Sequence, residues 1–127
     1  MDQEIKLDSK CNLSLIQEIL AAAVAGGIGY WASPLYYRWT IKEIDVVRLK
    51  LMVNNDETPL YGKVYEIRAS DIEQVLNKFK ETEIEGLAKK YQESVNKAVM
   101  EHDAGEIDSD MADWVIQVVC FGKIIFG

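Results

Sequence analysis

The chain is expected to fold as an α+β domain: a small antiparallel sheet of about three strands packed against about four helices, with the C-terminal helix buried. Three observations predict this. The central third alternates apolar and polar residues, while apolar residues recur with a helical period on both sides of it. Ser14, Ser70 and Thr82 each stand three residues before a Glu or Gln, the spacing that starts helices. The last helical stretch is almost unbroken in its apolarity, as a helix covered on most sides would be. With 127 residues, the chain is expected to form one domain over residues 1–127.

The elements follow in order. Ser14 with Gln17 opens a first helix over about Leu15–Ala25, with Ile16, Ile19, Leu20 and Ala23 as its core stripe and Gly26-Gly27 as its stop. "YYRWTIKEI", "VVRLKLMV" and, more weakly, "GKVYEIR" then alternate as half-buried antiparallel strands. Ser70 with Glu73 starts a second helix over about Asp71–Glu81, with Ile72, Val75, Leu76 and Phe79 turned inward. Thr82 with Glu85 starts a third over about Glu83–Glu101, placing Gly86 in its first turn. In the fourth, from Asp110 to Phe121, Asp113 and Gln117 are the polar survivors, four apart and on one face. Gly122 stops that helix, and "KIIFG" is expected to be tied down, because its apolar residues sit poorly in water.

The composition, 49% apolar and 28% charged with net charge −7, is that of a folded protein. The acidity is uneven. From Glu83 to Asp113 nine acids face three lysines, whereas Tyr36 to Arg68 is nearly neutral. Such an acidic half argues against binding a nucleic-acid backbone and fits either a soluble protein kept monodisperse by repulsion or one that docks onto a basic partner. Cys11 and Cys120 make no disulfide framework; a bridge between them is the alternative to the favoured reading, free thiols in a reducing cytoplasm. The N-terminal residues show no secretory pattern. Gln17 and Glu18 interrupt the most apolar window, so it reads as a buried helix and no membrane span is expected.

Several constellations could carry chemistry. Asp103, Glu106, Asp108 and Asp110 are hard oxygen ligands in a Gly-containing segment, but their spacing is not that of an EF-hand. The favoured reading is a helix cap among Asp108, Ser109 and Asp110, with a metal site or an acidic contact surface as alternatives. His102, the single histidine, is a weak zinc or general-base signal, and the favoured reading is a surface residue at a helix end. "GGIGYWASPLYYRW" combines three glycines with five aromatics, which is the material of a stacking platform, a protein interface or a core filling. No nucleophile element or phosphate-binding loop appears, and no motif asks for a cofactor. A buried Asp113 needs partners, and Arg38, Arg48 or Arg68 would supply an internal ion pair.

Two of these segments together resemble a family of small proteins encoded by bacteriophages, prophages and mobile elements. Its members pair a Gly-Gly-x-x-Tyr-Trp element with a C-terminal Ala-Asp-x-x-x-Gln-x-x-x-Phe-Gly element. The matching positions are Gly26, Gly27, Tyr30 and Trp31, then Ala112, Asp113, Gln117, Phe121 and Gly122. Ala25 stands where many members carry an acid. The family has no established catalytic residues, so the resemblance carries over no site roles. It implies an accessory protein in the cytoplasm of a host bacterium.

The leading expectation is therefore a non-enzymatic protein that binds a bacterial host protein, with inhibition of host defence as one such role. Gly26, Gly27, Tyr30, Trp31, Asp113 and Gln117 are its candidate binding residues. The alternatives are a module that sequesters a nucleotide or small metabolite between Tyr30, Trp31 and a sheet arginine, and a metal-dependent enzyme using the carboxylates near His102. Self-association through the aromatic element or the "KIIF" tail is open in each case.

Overall fold

A computed structural model describes residues 10–38, 48–101 and 107–127, with side chains from residue 14 onward. Four α-helices and a three-stranded antiparallel sheet follow one another as α1 (Lys10–Ala22), β1 (Ala32–Arg38), β2 (Arg48–Val53), β3 (Val64–Arg68), α2 (Ala69–Glu81), α3 (Lys89–Met100) and α4 (Ser109–Phe121). A π-helical turn, Ala23–Gly27, extends α1. The α+β class expected from the sequence is the observed one. Helix α4 is the central element, touching α1, the π turn, α2 and β3.

The sheet runs in the order β1-β2-β3, so β1 and β3 are its edges. Leu49, Leu51, Val53 and Ile67 point into the helices and are fully covered. Residues on the opposite face, among them Arg38, Tyr36, Lys50, Val64, Glu66 and Arg68, are exposed. One wet face and one dry face is the behaviour that period-two patterning encodes. A β-bulge lies between Pro34 and Tyr36, where the register passes from Pro34↔Leu51 to Tyr36↔Lys50. The extra residue, Leu35, keeps Tyr37 opposite buried Leu49 and Arg38 opposite Arg48.

Each of the three expected capping boxes fails, for local reasons. Helix α1 already runs through Ser14 from Lys10, so that hydroxyl lies inside the helix on an exposed turn. Its apolar face (Leu15, Ile16, Ile19, Leu20) is buried, and packing outweighs a weak start signal. Strand β3 passes into α2 with no linker, and Asp71, instead of Glu73, reaches back to accept from the Arg68 N–H at 2.9 Å.

Thr82 ends α2 rather than starting α3: its N–H and its hydroxyl both donate to the Lys78 carbonyl, at 2.9 and 3.1 Å. Residues 82–88 then form a loop pinned by the buried Gln92. Its Oε1 accepts from the Ile84 N–H at 3.0 Å, and its Nε2 donates to the carbonyls of Phe79 and Thr82 at 2.7 and 2.6 Å. Ile84 is buried from this loop, while Tyr91 on α3 is exposed and stacks on Trp114.

The remaining end signals hold. Asp108 caps α4 by accepting from the Met111 N–H at 2.9 Å, and Gly122 closes the helix in the left-handed conformation at φ 78°. Among the described residues no helix is long and apolar enough to cross a membrane.

Gly86 does not sit in a helix. It adopts φ +87°, and a Cβ there would stand 2.5 Å from the Ile124 carbonyl oxygen. Gly86→Ala is therefore expected to destabilise the protein by about 2 kcal/mol or more, combining left-handed strain with a backbone clash. Urea unfolding of the variant beside the unaltered chain measures it.

Candidate functional site

The two sequence elements that stand out, residues 26–31 and 112–122, meet in space. Gly27 lies against the first turn of α4, where a Cβ would come within 2.7 Å of the Ser109 carbonyl oxygen. That close approach brings the turn over residues 28–31 onto α4. The Trp31 N–H and the Ala32 N–H both close on the Ile28 carbonyl, and the Asn54 N–H donates to the Trp31 carbonyl at 2.8 Å. The indole forms a cluster with two phenyl rings that also touch each other, at 5.8 Å between centroids. Phe126 stacks on it at 5.2 Å between centroids with an 8° tilt, and Phe121 approaches at 5.3 Å.

Asp113 is the centre of this arrangement. Its carboxylate is buried and takes three neutral donors: the Tyr30 hydroxyl on Oδ2 at 2.5 Å, and the Trp31 Nε1–H at 2.8 Å and the Gln117 amide at 2.9 Å on Oδ1. The expected ion pair with Arg38, Arg48 or Arg68 is not formed. Those arginines lie on the far side of the sheet, and Arg48 instead faces Glu66 at 3.7 Å. Short hydrogen bonds to a charged acceptor do the work that a cation would have done.

Gln117, fully buried, carries the network to the chain's last residues. Its Oε1 accepts from the Ile125 and Phe126 N–H groups, both at 2.9 Å, and its Nε2 donates to the Phe126 carbonyl at 3.1 Å. Two backbone donors on one oxygen fix which way the amide points. A second anchor joins the Ile124 N–H to the Glu85 carbonyl at 3.0 Å. The tail is thus tied down, as its composition demands.

Tyr30 has one proton and gives it to Asp113, so its 3.3 Å approach to the Phe126 carbonyl is a contact only. Burial, followed by the Asp113 carboxylate, pushes its phenol well above the usual range. Burial also raises the Cys120 thiol to about 12, so this free cysteine is not a thiolate near neutral pH. The side chain of Cys11 lies outside the described residues.

Of the six candidate binding residues, Tyr30, Trp31, Asp113 and Gln117 form one hydrogen-bonded clasp, in which Trp31, Asp113 and Gln117 are buried and Tyr30 is half exposed; Gly27 permits it, and Gly26 is exposed beside it. The Trp31 side chain offers no free face: it is 0% exposed. A nucleotide clasp built on it would have to displace Phe126. In the acidic segment Asp108 is a helix cap and Asp110 is exposed in the first turn of α4. His102, Asp103 and Glu106 lie outside the described residues. Among those described, no group of three or more His, Cys, Asp or Glu side chains could hold a metal ion.

Single large side chains are exposed in several places, among them Tyr30, Tyr61, Tyr91 and Met100, but the sheet groups several such side chains on one strand. Pro34 to Arg38 are all exposed, with Leu35 at 51%, Tyr36 at 48% and Tyr37 at 51%. Register places Arg38 opposite Arg48 and Arg48 opposite Arg68, with Tyr36, Lys50 and Glu66 in the adjoining row. Alternation in "YYRW", "VVRLKLMV" and, more weakly, "GKVYEIR" marks these positions as outward, but only the pairing brings the arginines into line.

Fold and site together define a small α+β domain whose motif residues are locked into an internal clasp and whose sheet is open on one side. No protein-family model, no curated protein and no solved structure matches this chain.

Asp113→Ala is expected to destabilise the protein by roughly 2–3 kcal/mol, since it strands the buried Trp31 N–H. Thermal and urea unfolding would show it. Tyr30 also predicts an alkaline limit. Its phenol is raised in the folded state, so its contribution is whole below the unfolded pKa of about 10 and is lost as pH rises from there. Tyr30→Phe is expected to be less stable at pH 8, yet to lose stability less steeply above pH 10. Parallel slopes for the two proteins would contradict this.

Proposed function

We propose that this protein is a non-enzymatic binding protein, acting on a bacterial host protein through the exposed β1 edge and the open face of the sheet. The observation that carries the reading is the run Leu35-Tyr36-Tyr37-Arg38, exposed along an edge strand. Adjacent exposed Tyr and Arg are the residue types on which protein interfaces concentrate their affinity, and solvent-facing apolar side chains gain most from being covered. The clasp supports it indirectly. Asp113, Gln117 and Trp31 have their polar groups satisfied and their surfaces covered inside the fold, so they serve the scaffold on which the binding surface is mounted.

The cellular setting comes from the resemblance at Gly26, Gly27, Tyr30, Trp31, Ala112, Asp113, Gln117, Phe121 and Gly122. On that resemblance the protein is an accessory product of a phage or mobile element working in the host cytoplasm, and inhibition of a host defence system is the role it fits. Neither the nucleotide reading nor the metal-enzyme reading draws support from a specific contact among the described residues.

Affinity capture from bacterial lysate tests the proposal. A stoichiometric protein partner is expected, with recovery falling at least about tenfold for Tyr36→Ala while thermal unfolding stays unchanged. A co-purifying small molecule without a protein partner would defeat the proposal, as would capture indifferent to Tyr36.

A further inference from the structure

The open face of the sheet carries a charge pattern opposite to that of the protein. Antiparallel neighbours lie about 4.8 Å apart, so Arg38, Arg48 and Arg68 form a rank about 10 Å long across three strands. Lys50 adds a fourth cation in the next row. Glu66 is the acid of this face, 3.7 Å from Arg48, and among the described residues Arg38 and Arg68 have no carboxylate within ion-pair distance. Four cations and one acid make +3 here, which leaves −10 for the rest of a chain whose net charge is −7.

Such a rank is unfavourable for the isolated fold. Like charges directly opposite on neighbouring strands repel, and the sheet repeats that arrangement twice in succession. Guanidinium groups are nevertheless well suited to one task, the bidentate holding of carboxylates or phosphates. The row beside them offers Tyr36, and the next pairs Met52 with Val64, giving apolar cover alongside the charge.

We propose that this face is a docking site for an acidic segment of a partner protein, with Arg38, Arg48 and Arg68 gripping its carboxylates and Tyr36 packing beside them. The inference rests on the binding-protein reading and adds the chemistry of the partner. A short acidic peptide fits a rank of this length. A polynucleotide extends well beyond it and meets the −10 remainder of the molecule. The same separation of charge orients the protein during approach, basic face toward an acidic surface.

The test uses the full chain and a fluorescein-labelled hexaglutamate peptide, read by anisotropy. Binding is expected at about 20 mM salt and should weaken about tenfold or more at about 150 mM. The double variant Arg38→Gln/Arg68→Gln should lose at least about tenfold in affinity, whereas Lys97→Gln on α3 should match the unaltered chain. Because it removes repulsion, the double variant should also unfold about 2 °C higher, which separates lost docking from lost structure.

No binding of the peptide by the unaltered protein would overturn the inference, and so would equal binding by the double variant. Tighter binding of an oligothymidylate than of hexaglutamate would overturn it in favour of a nucleic acid. Lysate capture that needs Tyr36 but survives the double variant would remove the acidic chemistry and leave the binding reading standing. Absence of any captured protein would remove both.

Discussion

A carboxylate buried without a counter-ion is the constraint on which this structure turns. Asp113 lies on the central helix and is satisfied only when the turn over residues 28–31 brings up a phenol and an indole and Gln117 swings its amide alongside. Losing any one donor leaves charge poorly solvated in a medium that penalises it. The turn over residues 28–31 and helix α4 meet at Asp113, and Gln117 ties the tail to the same network. Phe126 and Phe121 then seal the indole, and the tail becomes part of the core.

This assignment changes the meaning of the two sequence elements behind the family resemblance. Gly27, Tyr30, Trp31, Asp113, Gln117, Phe121 and Gly122 each have an architectural reason to be what they are: close approach, hydrogen bonding, ring packing or helix termination. A pattern of that sort identifies a way of folding. What a particular chain binds is free to vary elsewhere, on a sheet face that contributes little to the core.

The legible parts of the sequence were those written in a single period or a single residue. Alternation in "VVRLKLMV" separates Leu49, Leu51 and Val53 from Lys50, and the structure sorts them the same way. Gly122 and Asp108 act where a helix has to stop and start. Helix beginnings inside runs of good helix formers were not legible, because Ser14 and Thr82 are equally able to lie within a helix or close one. The place of Gly86 is hidden for a related reason: its role depends on Ile124, thirty-eight residues away. The partners of Asp113 were likewise hidden, since charge arithmetic points to arginine while the fold supplies Tyr, Trp and Gln. The alignment of Arg38, Arg48 and Arg68 needs the register of two strand pairs, which no one strand records.

The bulge at Leu35 and the proline before it have a wider bearing. An edge strand with bare apolar side chains is an invitation to endless stacking, copy upon copy, through its unused backbone groups. Pro34 withholds one amide hydrogen, and the extra residue breaks the even spacing that a growing fibril would copy. Both features make growth by strand addition at this edge less favourable.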